Sequence, residues 1–180
     1  VQSFRYPDDG SVVSTGRSHA SVFVSPGSAA TTQSKADVIV LSLFGGEVVA
    51  AQVTASVSAN ASARSSKADV SASAVQGLRV LGRDVPAAPG SIVALEDWGT
   101  VTVLSQSSGT RKASPPGAQA GTTGLRVRLT AEHGGLPAGS EIVVGDVQAT
   151  AMADVSAPPP KPQAQPPTPP DRVNPARPSR

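Results

Sequence analysis

The sequence predicts an all-β fold, an antiparallel β-sandwich-like domain followed by a disordered Pro-rich tail, and three observations carry that expectation. Helix signals are nearly absent, since no stretch sustains apolar residues at i, i+3, i+4 and i+7 behind a capped start. Runs of Val, Ser, Thr and Ala are punctuated instead by Gly, Pro and Asp, the mark of many short strands. The segment "VVAAQVTASVSANASAR" (Val48–Arg64) then alternates from Val53 onward. Val53, Ala55, Val57, Ala59, Ala61 and Ala63 share one parity, and Thr54, Ser56, Ser58, Asn60, Ser62 and Arg64 the other. A Val/Ala face buries a thin layer and suits close packing of sheet on sheet, while the Ser/Thr/Asn face stays wet.

The elements follow in order. "SFRYPDDGSVV" contains a turn at Pro7–Gly10, where Pro presets φ and Gly10 tolerates the positive φ that closes it. "SHASVFVS" (Ser18–Ser25) reads as a strand with Ala20, Val22 and Val24 on one parity, and "SPGSAATTQS" as a loop. "DVIVLSLFGGEVVAAQV" is the clearest hairpin: two apolar runs flank Gly45-Gly46, a pair that fits a tight two-residue turn. "SSKADVSASAVQGLRVLGRDV" supplies one or two strands, bent or bulged at Gly77. "PAAPG" is a turn, and "SIVALEDW" and "TVTVLSQ" are strands around a break at Trp98–Gly99. "SSGTRKASPPGAQAGTT" reads as a long polar loop, too poor in hydrophobes to pack. "GLRVRLTA" places Leu125, Val127 and Leu129 inward with Arg126 and Arg128 outward; "EHGGLPAGS" turns the chain into the last strand, "EIVVGDVQATAMA".

Fully burying a Val stabilises by roughly 1.5–3 kcal/mol and an Ala by much less. The thin stretch therefore relies on larger side chains elsewhere: Ile39, Leu41, Leu43, Leu78, Val80, Ile92, Leu95, Leu125, Leu129, Ile142 and Val144. With three Phe, one Tyr and one Trp in the chain, the expected core is aliphatic.

Composition divides the chain near residue 155. Residues 156–180 hold ten of the 17 prolines and no aromatic residue, which predicts an extended linker after a β-rich module over 1–155. As polyproline II, at about 3.1 Å per residue, that linker reaches on the order of 75 Å. It carries a charge of +3 and the body −1, so the pI of 9.4 reflects a basic tail on a neutral body. The body lacks the basic face interleaved with aromatics that marks a nucleic-acid-binding domain. The tail reads as a solvated linker first and as a contact for an anionic polymer, such as nucleic acid, phospholipid or a wall polyanion, second. The absence of cysteine removes disulfides and thiolate chemistry, and no stretch approaches 18 strongly apolar residues. The chain starts at Val1 without Met or signal peptide, the expectation for a processed or excised piece.

Reactive constellations are not legible. The two histidines, His19 and His133, lie far apart, His133 beside Glu132 in a Gly-rich turn, and both read as exposed loop or strand-end residues rather than metal ligands. No Ser sits in a G-x-S-x-G elbow. Glu96 and Asp97 are adjacent, so on a strand they point to opposite faces; Asp8 and Asp9 fit a turn. Trp98 reads as a core anchor ahead of a sugar-stacking platform, and Asn60-Ala61-Ser62 as a chance sequon. The chain offers no catalytic, cofactor-binding or metal residues, and the expectation is a non-enzyme without cofactor.

Four phrases together, "FRYPDDGSVVSTGRSHASV", "VLSLFGGEVVAAQVTASVSA", "LEDWGTVTVLSQ" and "LTAEHGGLPAGSEIVVGDVQA", resemble a region of actinobacterial exported cell-wall proteins. In those proteins a β-rich, non-catalytic N-terminal region precedes a Pro-rich linker and a lysostaphin-like (LytM-type) zinc endopeptidase that cuts peptidoglycan cross-bridges. The peptidase motifs H-x-x-x-D and H-x-H are missing here: Phe23 follows His19 by four positions and Pro137 follows His133. The resemblance thus implies an extracellular, cell-wall spacer or targeting module. Its implied partners are peptidoglycan and a C-terminal catalytic domain in the same polypeptide, with neither specific nucleic acid nor a transmembrane segment. A surface adhesin or structural interaction module is the alternative.

Overall fold

A computed structural model describes residues 3–153, and these form two antiparallel sheets packed face to face. The first sheet contains β1 (Phe4–Tyr6), β2 (Val13–Thr15), β3 (Ser18–Ser25), β4 (Ala29–Leu43), β5 (Val48–Ser62), β6 (Ser66–Asp69), β7 (Ala74–Gln76), β8 (Arg79–Val80) and β9 (Arg83–Asp84). The second runs in the order β10 (Ile92–Leu95), β11 (Gly99–Arg111), β12 (Gly117–Leu129) and β13 (Glu141–Met152). The long β4–β5 hairpin is the spine of the first sheet. β2 and β3 pair end to end along one side of it, β1 lies outside β2, and β6, β7 and β8 pair in succession along the other side. The expected sandwich is present; the Pro-rich tail expected over 156–180 lies outside the described residues.

The central strands share a feature that strict alternation does not anticipate. Ser34, Ala36 and Val38 of β4 have the core-side parity, but farther along Leu41 and Leu43 are the buried ones. The inward parity of β5 changes between Ala50 and Val53, that of β12 between Thr122 and Leu125, and that of β13 between Val144 and Val147. The regular register skips the same level in each pair, and positive φ values mark it at Val40 (57°), Leu104 (46°) and Gly145 (66°). For a β-branched Val this is a rare conformation. The Gly16 N–H, shared between the carbonyls of Ile39 and Val40 at 2.9 and 3.1 Å, holds it. Gly124 sits on the same seam, where a Cβ would run into Val53 and the Val144 carbonyl.

The seam divides the interior. On one side lie Leu41, Leu43, Phe44, Leu78, Leu95, Trp98, Leu125, Leu129 and their valine neighbours. On the other, Ala55, Ala59, Ala61, Ala118, Ala120, Ala149 and Ala151 surround Val57 and Val147. In that alanine half the sheets come close enough for side chains of one to bond the backbone of the other. Ser34 Oγ donates to the Gln148 carbonyl at 2.7 Å and Thr32 Oγ1 to the Thr150 carbonyl at 2.9 Å. On the opposite flank Gln106 Nε2 donates to the Val70 carbonyl.

Several expectations need correction. The β4–β5 connection is a four-residue loop, Phe44–Glu47, rather than a two-residue turn. The Phe44 ring is drawn into the core, and the N–H groups of Phe44 and Gly45 bond the carbonyls of Val12 and Ser11. Most of "SPGSAATTQS" is strand, because Thr31–Gln33 pair on both sides. The supposed loop at 107–123 is also mostly strand: β11 reaches Arg111 and β12 starts at Gly117, because alanine suffices as filling where the sheets are this close. Ile39 is turned outward by the kink at Val40, Ile92 faces solvent on edge strand β10, and Ala63 lies past the end of β5.

Candidate binding surface

The outward parity of the alanine half builds a polar lattice on the first sheet. Cross-strand register aligns His19, Asp37 and Thr54 in one row, then Ser21, Lys35 and Ser56. The third row is Phe23, Gln33, Ser58 and Asp69, and the fourth Ser25, Thr31, Asn60 and Lys67. Residues two apart on a strand are about 6.8 Å apart, so four rows span roughly 20 Å. The lattice is hollowed: a groove of about 400 Å³ is lined by Ser21, Phe23, Gln33, Lys35, Ser56 and Ser58 among others. Lys35 also lines a more open depression of about 670 Å³ with Arg17, His19, Asp37 and Gln52, beside the first.

Local bonds fix much of this surface. Lys35 Nζ pairs with Asp37 Oδ2 at 2.8 Å, while Thr54 Oγ1 donates to Asp37 Oδ1 at 2.7 Å. Burial pushes the Asp37 carboxyl up, but the Lys35 ammonium and the Thr54 hydroxyl outweigh it and hold the group below the ordinary carboxylate value. Thr31 Oγ1 donates to Asn60 Oδ1 at 2.7 Å. The hydroxyl and then the N–H of Ser71 lower the Asp69 carboxyl in the same way. Asp69 also lines the groove, its carboxylate 3.6 Å from Lys67 Nζ. With the charges of Lys35–Asp37 and Lys67–Asp69 paired, the other groups facing the groove are hydroxyls, amides and one half-exposed aromatic ring, Phe23. Such a surface can hydrogen-bond an extended neutral polymer rich in hydroxyl and amide groups.

The residues singled out in the sequence are dispersed. His19 stands on this outer face, in the row of Asp37. His133 lies instead in the β12–β13 loop, at the far end of the leucine half. Its ring stacks on Trp98 with centroids 3.7 Å apart and planes within 5°, and its Nε2 lies 2.6 Å from Glu47 Oε2. Phe44 meets both rings edge-on at 5.2 and 5.1 Å. Gly134 packs against Phe44 with a positive φ of 56°, so the loop fits closely over the aromatics. His133 is thus a packed, bonded residue rather than an exposed loop histidine, and Trp98, at 6% exposure, is a core anchor with no open ring face.

Glu96 and Asp97 occupy the β10–β11 turn rather than a strand, and both are exposed. Asp9 accepts the Ser11 N–H at 2.9 Å, and that bond lowers its carboxyl, the ordinary behaviour of a turn aspartate. Among the described residues no three His, Cys, Asp or Glu side chains are placed to hold a metal ion, and no helix is long and apolar enough to cross a membrane. Sequence reasoning identified the wet face of β5 but missed its continuation across β3, β4 and β6. The alternation in Thr31–Asp37 was the available signal. No family model, curated protein or solved structure matches this chain.

Proposed function

We propose that this chain is a non-catalytic, extracellular module of a secreted peptidoglycan-remodelling protein of the LytM type, serving as spacer or as wall-targeting element. The observation that carries the targeting role is the hollowed lattice on the first sheet. Its groups match the hydroxyls and amides of wall glycan and peptide, and Phe23 offers an apolar edge to a sugar ring. The resemblance of the four sequence phrases supports the setting. The alternative, a surface adhesin or structural interaction module, draws its support from β3, which among the described residues pairs with β4 on one side and is an edge on the other.

Sedimentation of the full chain with purified peptidoglycan tests the targeting role. The chain is expected to co-sediment, and the double variant Phe23→Ala/Gln33→Ala to lose most of that binding while keeping its β spectrum. Failure of the wild type to sediment would remove targeting and leave the spacer role. Equal binding by the variant would place wall affinity away from the groove.

A further inference from the structure

We infer that β3 is a self-association edge, through which two copies of this chain join their first sheets into one continuous sheet. Among the described residues the sheet edges are treated unequally. β9 is two residues long and charged, β1 is three residues long, and β10 four. β13 is twelve residues long, but its Gln148 and Thr150 carbonyls already accept the Ser34 and Thr32 hydroxyls, and Glu141 and Asp146 lie along it. β3 is eight residues long and pairs with β4 on one side. From Ser18 to Ser25 it has no Lys, Arg, Asp, Glu or Pro, the residues that ordinarily guard an edge. It also exposes three consecutive apolar side chains, Val22 (70%), Phe23 (57%) and Val24 (60%).

These side chains are not the random remainder of a surface. Ala20, Val22 and Val24 share rows with Ala36, Ser34 and Thr32, so they occupy the core-side face of the first sheet. The second sheet ends at β13, which lies over β4 and β5, and its edge is tied down there by the bonds from Ser34 and Thr32. Among the described residues β3 therefore overhangs, with Val22 and Val24 exposed on its apolar face. The Ile39 N–H bonds the Arg17 carbonyl, and strand alternation from that bond turns the backbone groups of Ala20, Val22 and Val24 away from β4, toward the open edge.

A second copy fits this edge on three counts. Antiparallel pairing about Val22 opposes Ala20 with Val24 and Val22 with itself. The outward amides of Ala20, Val22 and Val24 are then used, and the apolar stripe stays on one face. The strand carries no like charges to oppose across the dyad, and an isologous contact requires that self-complementarity. The slot also has the length of β3 itself: β1, outside β2, bounds it beyond Ser18, and the occupant strand turns away at Pro26-Gly27.

Light scattering with size-exclusion chromatography tests this in buffer, without wall material, so its result is separate from the wall reading. The full chain is expected at twice the 18.0 kDa of one copy. Val22→Lys, at a position with ample room in the monomer, is expected to return it to a single copy with an unchanged circular dichroism spectrum. Ile92→Lys, on the equally exposed β10 edge, is expected to remain double. A wild-type chain that stays single up to its solubility limit overturns the inference, including the case where β3 takes a strand from another protein. Val22→Lys remaining double, or Ile92→Lys becoming single, overturns it as well.

Discussion

The two halves of this sandwich solve the same problem by different means. On one side of the Val40–Leu104–Gly145 seam the sheets are held apart by Leu, Val, Phe and Trp, and burial of large apolar area supplies the stability. On the other side the filling is alanine, and the sheets approach until Ser34 and Thr32 reach the backbone across the gap. The alanine half thus trades area for closeness and polar bonding. Its outer face is correspondingly richer in fixed hydrogen bonds, from Thr31–Asn60 to Thr54–Asp37. A change of inward parity in every central strand lets one pair of long hairpins serve both regimes.

Removing volume should hurt the leucine half most. Leu125 is fully buried there, and Leu125→Ala is expected to lower the unfolding free energy by about 2–5 kcal/mol. Urea denaturation measures this directly. A loss as small as that of a surface substitution would mean the leucine half is loosely filled.

The converse change probes the alanine half. Ala59, fully buried, has no room for four-carbon side chains between sheets tied by hydroxyl bonds. Ala59→Leu is expected to cost about 1–3 kcal/mol through overpacking. Amide exchange should quicken along β13, near Gln148 and Thr150, sooner than along β12 at Val127. If the variant gains stability, the alanine half contains unused space and the contrast between the halves fails.

How much of this was legible before the structure follows from the same physics. The β-sandwich class was readable because alternation is a local property, clear in Val53–Ala61 and in Leu125–Leu129. The kink level was not, because a positive φ at Val40 or Leu104 depends on what the neighbouring strands do, and neither residue type advertises it. The 107–123 region was misread as loop because alanine and threonine look too weak to build a core. They suffice only when the opposite sheet is also alanine, a fact stored some 60 residues away in β5. The groove was half visible, on β5 alone; its width needed the register with β3, β4 and β6. Trp98 was legible as an anchor, while the stacking of His133 upon it required three turns to meet at one end.

Hydroxyl bonds across the gap should matter less than volume but in a specific way. Ser34→Ala leaves the Gln148 carbonyl without its donor, at an expected cost of about 0.5–1.5 kcal/mol. The same substitution at Ser21, on the outer face, should be nearly silent. Equal effects would mean that the inter-sheet bond contributes nothing beyond a generic serine.

The smallest expected effect separates the halves by pH. The Asp37 carboxyl is held below its ordinary value, with burial opposing and Lys35 and Thr54 prevailing. A group depressed on folding adds stability that is present above its unfolded value and is lost as pH falls through the folded one. Asp37→Asn is therefore expected to be slightly less stable than the wild type near pH 7, by less than about 1 kcal/mol for so partly exposed a pair. The gap should close as acid protonates Asp37 in the wild type, and it should narrow with added salt. Paired urea titrations at neutral and strongly acid pH measure both trends. A gap that stays constant into acid would show that the carboxylate charge is immaterial, and that the alanine half is held by its neutral hydroxyl bonds and close packing alone.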